Sequence, residues 1–236
     1  MIKDKNERIK FSILIPVYNV EEHLRECLDS VLNQTYSNFE IVITNDGSTD
    51  ASADICLEYV ATDSRIALYQ QENKGLLLAR RKSIKHSTGD YYLFLDSDDT
   101  WKPNTLEKVY ETIIKTKADM VIFNWDRQKG NDVIPSKPLF SDKDLGSNIT
   151  KEKFVEKFIK TNELNSLCLK AVNTNIVDDD KDYSRFEGLT MGEDALQSIP
   201  LFLNAEKIVY IQDALYNYRI NEDSSTNSFK SQYLSA

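Results

Sequence analysis

At 236 residues, 41% of them hydrophobic, the chain can bury a substantial core and is expected to be a single globular domain over residues 1–236. Its 29 Lys and Arg against 38 Asp and Glu give a net charge of −9, which argues against a surface built to track nucleic-acid phosphates. The longest apolar runs fall far short of the ~20 residues a membrane helix needs. Met1 to Lys10 is too charged for a signal peptide, so a cytoplasmic setting is expected, with peripheral contact at the inner face of the cell membrane left open.

The first predicted strand, Phe11 to Val17, ends at Tyr18-Asn19 and is followed by a helical pattern in Leu24, Leu28, Val31 and Leu32. The unit returns with Phe39 to Thr44, the turn Asn45-Asp46-Gly47-Ser48, and a helix carrying Ile55, Tyr59 and Val60. A third strand, Arg65 to Gln70, leads through Asn73-Lys74-Gly75 into a helix from about Leu76 to Lys85. The fourth, Tyr91 to Leu95, stops in acids; a helix from Pro103 to about Lys115 and a fifth strand, Asp119 to Trp125, follow. Strands alternating with helices predict an α/β fold with a mainly parallel sheet flanked by helices, in which ligands bind beyond the carboxyl ends of the strands. Tyr18-Asn19, Asp46 and Asp96 to Asp99 all fall at such ends, so one crevice would collect them. Beyond Asp126 the alternation breaks: Arg127 to Ser147 reads as a long polar loop, and Lys151 to Lys160 as a helix through Phe154, Val155, Phe158 and Ile159. This less regular half, about 126–236, is expected to carry the partner-specific surface, with about 10–125 forming the regular half.

The run Tyr91-Tyr92-Leu93-Phe94-Leu95-Asp96-Ser97-Asp98-Asp99 concentrates charge that repels itself unless a cation neutralises it. Mg²⁺ or Mn²⁺ binds through one or two carboxylates plus substrate phosphates, which suits a short acid-x-acid unit. The alternative is an acidic turn in which Asp99 or Thr100 caps a helix whose first turn holds Pro103. Zinc lacks ligands, since His23 and His86 are the only histidines and Cys27, Cys56 and Cys168 have no Cys-x-x-Cys spacing. Buried free thiols are expected instead.

Phe11 to Asn19 (FSILIPVYN), Ser30 to Tyr36 (SVLNQTY), Phe39 to Asp50 (FEIVITNDGSTD), Asn73 to Arg80 (NKGLLLAR) and Gly89 to Asp99 (GDYYLFLDSDD) together resemble the family 2 glycosyltransferases of the Rossmann-like GT-A fold. The second half joins through Gly192-Glu193-Asp194 and Tyr216 to Ser225. The resemblance implies inverting transfer of a sugar from a nucleoside-diphosphate sugar, UDP before GDP or dTDP, to an acceptor hydroxyl on a saccharide, lipid-linked or protein-linked glycan of a surface polysaccharide or glycoconjugate.

By the same resemblance Asp98 would bind a divalent metal and Asp96 the ribose or the metal, with Ser97 between them at the nucleotide. Pro16, Tyr18 and Asn19 would shape the base pocket, Asp46 would accept a hydrogen bond from the base, Gly75 would let backbone approach the nucleotide, and Arg80 would lie near the phosphates. Asp194 would be the general base. Plainer readings stand beside these. Asp46-Gly47-Ser48 satisfies a turn, Tyr18 an aromatic at the core edge, Arg81 a helix-surface charge, and Glu193-Asp194 a capped helix start. Arg219 resembles a basic residue brought back toward the pyrophosphate, while Asn221 to Ser225 holds no His to serve as a third metal ligand. Two other classes compete. A nucleotidyltransferase would usually carry a Gly-rich basic phosphate loop that this chain lacks, and a catalytically silent nucleotide-sugar-binding protein would tolerate loss of Asp194.

Overall fold

The computed structural model describes residues 8–130, 132–141 and 149–220. Its centre is β1 (Phe11–Val17), buried along its whole length. A strand covered on both faces needs a near-continuous apolar run, which Phe11, Ile13, Leu14 and Ile15 supply while the buried Ser12 hydroxyl donates to Glu40, and each large aliphatic side chain so buried contributes about 1.5–3 kcal/mol. Parallel neighbours flank it: β2 (Phe39–Asn45) on one side and β4 (Tyr91–Phe94) on the other, with β3 (Ile66–Gln70) beyond β2. The helix α1 (Glu21–Leu32) buries Leu24, Cys27, Leu28 and Val31, the stripe of a 3.6-residue period. Next come α2 (Ser52–Thr62), α3 (Leu76–Lys85) and, after the two-residue β5 (Thr100–Trp101), α4 (Thr105–Thr116).

The second half enters the same sheet. The remaining strands are β6 (Met120–Lys129), β7 (Asp132–Pro135), β8 (Lys170–Asn173) and β9 (Ile208–Arg219), and the order is β3-β2-β1-β4-β8-β6-β9-β5 with β7 beside β6. β8 lies antiparallel between β4 and β6, while β6 and β9 run parallel. Two further helices, α5 (Lys151–Lys160) and α6 (Glu193–Asn204), belong to this half. No helix among the described residues is long and apolar enough to cross a membrane.

Two expectations are corrected. The stretch from Arg127 is not a continuous loop. β6 runs on to Lys129 and turns at Gly130 (φ +58°), and β7 returns with Arg127 opposite Ile134 and Lys129 opposite Asp132. Every β7 residue is exposed, so no burial pattern marked it as a strand; residues 142–148 lie outside the described residues. Nor does the acidic run cap a helix. Thr100-Trp101 pairs with Asn217 and Tyr216 of β9, and α4 starts only at Thr105, after Pro103, behind Asn104. Cys27, Cys56 and Cys168 are buried free thiols, as expected.

The parallel register brings the carboxyl ends of β1, β2 and β4 to one edge, with Val17 opposite Asn45 and Leu14 opposite Phe94. Pro16 is tolerated in this central strand because its missing N–H faces the β4 side beyond the Leu95-to-Leu14 bond, after which β4 has turned away.

Candidate active site

At the end of β1, Asn19 adopts φ +48°, a left-handed conformation that Asn tolerates better than most residues. Its N–H donates to Ser48 Oγ (3.1 Å) and its Oδ1 accepts from the Thr49 N–H (2.8 Å), so the β1 and β2 loops are tied together. Tyr18 beside it is 50% exposed, a ring standing at the surface rather than sealing the core edge. Pro16, by contrast, is buried within the strand.

Asp46 follows β2 and is buried. Its Oδ1 accepts from Gln71 Nε2 (2.7 Å) and the Lys74 N–H (2.9 Å), and its Oδ2 from the Gly75 N–H (2.9 Å). This carboxylate therefore organises the loop ahead of α3 and is more than a turn residue. Gly47 lets the loop close. At φ +75°, a Cβ there would sit 2.9 Å from the Asn73 backbone nitrogen. Gly75, at φ +89°, opens α3 with its N–H aimed at Asp46.

Beyond β4, Asp96, Ser97, Asp98 and Asp99 lie in two different settings. Asp99 is structural: Tyr216 Oη donates to its Oδ2 (2.5 Å) and the Arg219 N–H to its Oδ1 (2.7 Å), fixing the acidic loop to β9. Burial, then the charges of Asp98 and Asp96, push its pKa up to about 8. Asp98 is raised as well, by burial first and by Asp96 second, whereas Ser97 is buried between them. Arg219 comes to this loop, donating from Nε to the Asp98 carbonyl (2.8 Å) and pairing with Glu26. Asn221 to Ser225 lies outside the described residues.

Arg80 is the link between the acids and α6. Only 1% exposed, it donates from Nη2 to Asp96 Oδ1 (2.8 Å) and from Nη1 to Asp194 Oδ1 (2.5 Å). Two acids from segments far apart in sequence thus share one guanidinium, whose planar fork suits that geometry. Asp194 stands in the first turn of α6 but does not cap it. Gly192 is the N-cap, without a side-chain bond, and Asp194 turns to Arg80 while remaining 28% exposed. Arg80 thus orients the carboxylate through Oδ1.

Among the described residues no three His, Cys, Asp or Glu side chains converge on a ready-made cage. Burial first and the neighbouring Asp96 second raise Asp98, while His23 and Arg219 pull it the other way and Arg80 pairs with Asp96. Two neighbouring carboxylates at the strand edge fit an ion whose remaining positions would be filled by phosphate oxygens.

Two buried cations were not identified as site features in the sequence. Arg81 is no surface charge: its Nη2 donates to the carbonyls of Asp178 and Asp179 and its guanidinium lies 5.0 Å from the Tyr183 ring. Lys170 of β8 is fully buried, and burial lowers its pKa to about 7. The available signal was a lone Lys inside Leu167-Cys168-Leu169-Lys170-Ala171-Val172, a run otherwise apolar.

A mainly parallel sheet that gathers acids at its carboxyl edge and closes with antiparallel strands from the second half is a GT-A fold, as its structural neighbours have. The crystal structure of S. aureus TarS 1-349 superposes with a TM-score of 0.72 at 25% identity, covering 89% of this chain and 60% of that one. TarS 1-349 in complex with UDP superposes at 0.70 with 25% identity, covering 90% and 61%. Residues 12–179 match the family described as glycosyl transferase family 2, and the chain belongs to that family. Among curated relatives, glycosyltransferase GlyA of Streptococcus pneumoniae serotype 4 is 33% identical over 96% of this chain. GgaB of Bacillus subtilis, a minor teichoic acid biosynthesis protein, is 29% identical over 95%. The chain spans only 33% and 24% of those two proteins.

Proposed function

We propose that this chain is the catalytic unit of an inverting, metal-assisted glycosyltransferase that moves a sugar from a UDP-sugar to a hydroxyl of a cell-surface polysaccharide, teichoic-acid-type polymer or glycoconjugate. Residues of about 10–125 would hold the donor and those of about 126–236 the acceptor side. The observation that carries the reading is the Arg80 fork, which sets the acid beside the expected phosphates, Asp96, next to a partly exposed carboxylate, Asp194. The UDP complex of TarS and the teichoic-acid role printed for GgaB support the donor and the acceptor class.

Asp98, with Asp96 beside it, would hold Mn²⁺ or Mg²⁺, which when bound supplies Lewis-acid neutralisation of the departing diphosphate. Tyr18, exposed at the end of β1, offers a face for the base, and Asp46 keeps the 71–75 loop at the height where backbone can meet the nucleotide. Arg80 has two roles: it holds Asp96 in place and keeps the Asp194 carboxylate oriented, ready to take the acceptor's proton as the hydroxyl attacks in line. A lone base suffices because leaving-group charge is handled on the opposite side of the sugar.

Calorimetric titration with UDP, GDP and dTDP, with and without Mn²⁺, tests the donor class. Metal-dependent binding of UDP that disappears in Asp98→Ala is expected, and binding of none of the three would overturn the reading. Asp194→Asn separates enzyme from silent binder. It should keep UDP affinity within about threefold and lose turnover by 10³-fold or more, in the range of an essential proton acceptor.

A further inference from the structure

Lys170 is 0% exposed and, among the described residues, has no carboxylate within hydrogen-bonding reach. Burying an amine this deeply is costly unless its protons are satisfied. Here they are satisfied by three consecutive carbonyls: Nζ donates to Leu164 O (2.7 Å), Asn165 O (3.3 Å) and Ser166 O. The ammonium can serve all three, and a neutral amine could still serve two. A methionine would fill similar space and hold none of them.

What those carbonyls support gives the amine its significance. Asn165 O also accepts from Ser198 Oγ (2.7 Å), a fully buried hydroxyl on α6. Phe202, one turn further along α6, presents its ring 5.7 Å from Lys170 Nζ. Asp194, Ser198 and Phe202 are spaced i, i+4 and i+8 and therefore share one face of the helix. Arg80 holds this face at its first residue, and Lys170 holds it at the next two. The N-terminal end of α6 has no side-chain cap and begins at Gly192 with φ +82°, so its placement depends on these lateral contacts.

We infer that Lys170 is a positioning residue for the transfer step: through the Leu164–Ser166 carbonyls, Ser198 and Phe202 it fixes the face of α6 that presents Asp194. The inference rests on the reading of Asp194 as the base, and it concerns turnover rather than donor binding.

The test uses the full chain carrying Lys170→Met. Hydrogen exchange is followed across α6, UDP affinity is measured by calorimetry with Mn²⁺, and UDP release from UDP-N-acetylglucosamine reports turnover. Exchange of the α6 amides should accelerate at least tenfold while β1 and β2 stay protected. In the same variant UDP affinity should stay within about threefold, and kcat should fall at least 30-fold with the donor KM unchanged. Wild-type exchange in α6, or wild-type kcat in a folded Lys170→Met protein, would overturn the inference. Asp194→Asn distinguishes the two levels. If it retains turnover, the base assignment fails while the exchange result still judges the hold on α6. If it loses turnover and Lys170→Met does not, only the role of Lys170 fails. Should Lys170→Met not fold, Ser198→Ala removes the same linkage from the helix side. A five- to tenfold loss of kcat with unchanged UDP affinity is then expected, and a variant indistinguishable from wild type would refute the linkage.

Discussion

The two halves of the sheet handle buried charge in opposite ways. On the side of β1, β2 and β4 the buried groups are carboxylates held by N–H donors: Asp46 by Lys74 and Gly75, Asp99 by Arg219. On the side of β8 and α6 they are cations held by carbonyls: Lys170 by Leu164, Asn165 and Ser166, Arg81 by Asp178 and Asp179. Asp46 is satisfied by backbone that follows it in the same half, whereas Asp99 takes a backbone N–H from β9 and Arg81, a residue of α3, takes carbonyls from the second half. Arg80 joins the two halves at the site itself, pairing with Asp96 of the acidic loop and Asp194 of α6.

Breaking that junction should have the largest effect. Arg80→Met would leave Asp96 and Asp194 facing each other without their shared cation, so turnover should vanish. Stability should drop by about 3 kcal/mol, the low end for a broken buried pair because both acids are partly exposed. Arg80→Lys should recover little of either, since one ammonium cannot reproduce the fork. Urea unfolding midpoints and UDP-release assays report the two effects separately.

The opposite signs of the two halves should also be visible in pH. Asp99 carries a folded-state pKa of about 8 against an ordinary 3.8, so between those values the folded state binds the extra proton and stability falls as pH rises. Lys170 is lowered to about 7 from 10.5, so between those values the unfolded state binds the extra proton and stability rises with pH. With divalent ions chelated, the stability curve should therefore pass through a minimum near pH 7 to 8, each limb contributing at most about 1.4 kcal/mol per pH unit. Asp99→Asn should flatten the limb below the minimum and Lys170→Met the limb above it. Parallel curves for wild type and both variants would contradict the contrast.

Legibility in the sequence divides along the same line. The strands of the acidic half are apolar runs closed by turn residues, and the acids that matter sit within a few positions of them, so Asp46, Asp96 and Asp98 stand out from local pattern alone. The cationic half depends on distance. Arg80 meets Asp194 across 114 residues, and no periodicity announces that partnership. β8 is four residues long and slots between strands that precede it by many positions, while β7 is exposed throughout and shows no alternation of burial. Arg81 looked like helix surface because only the tertiary fold brings the Asp178 and Asp179 carbonyls over it.

A smaller effect sharpens the donor side alone. Asp46→Asn is conservative in shape but would turn an NH₂ group toward either the Gly75 N–H or the pair formed by Gln71 and Lys74, so at least one buried donor loses its acceptor. An unsatisfied buried donor costs about 1–3 kcal/mol, and the loosened 71–75 loop should weaken UDP binding about 10-fold or more in calorimetry. Turnover at saturating donor should change far less than affinity, the reverse of the pattern expected for Lys170→Met.

The smallest expected effect belongs to Tyr18. Its ring is half exposed, so Tyr18→Ala removes little core packing and should leave the unfolding midpoint within about 0.5 kcal/mol of wild type, as surface substitutions do. If the ring stacks on the base, UDP affinity should fall by a factor that reflects about 1–2 kcal/mol of stacking, whereas Tyr18→Phe, which keeps the ring, should bind as wild type does. A Tyr18→Ala protein with unchanged UDP affinity would move the base pocket away from the end of β1 and leave the donor side resting on Asp46 and the acids.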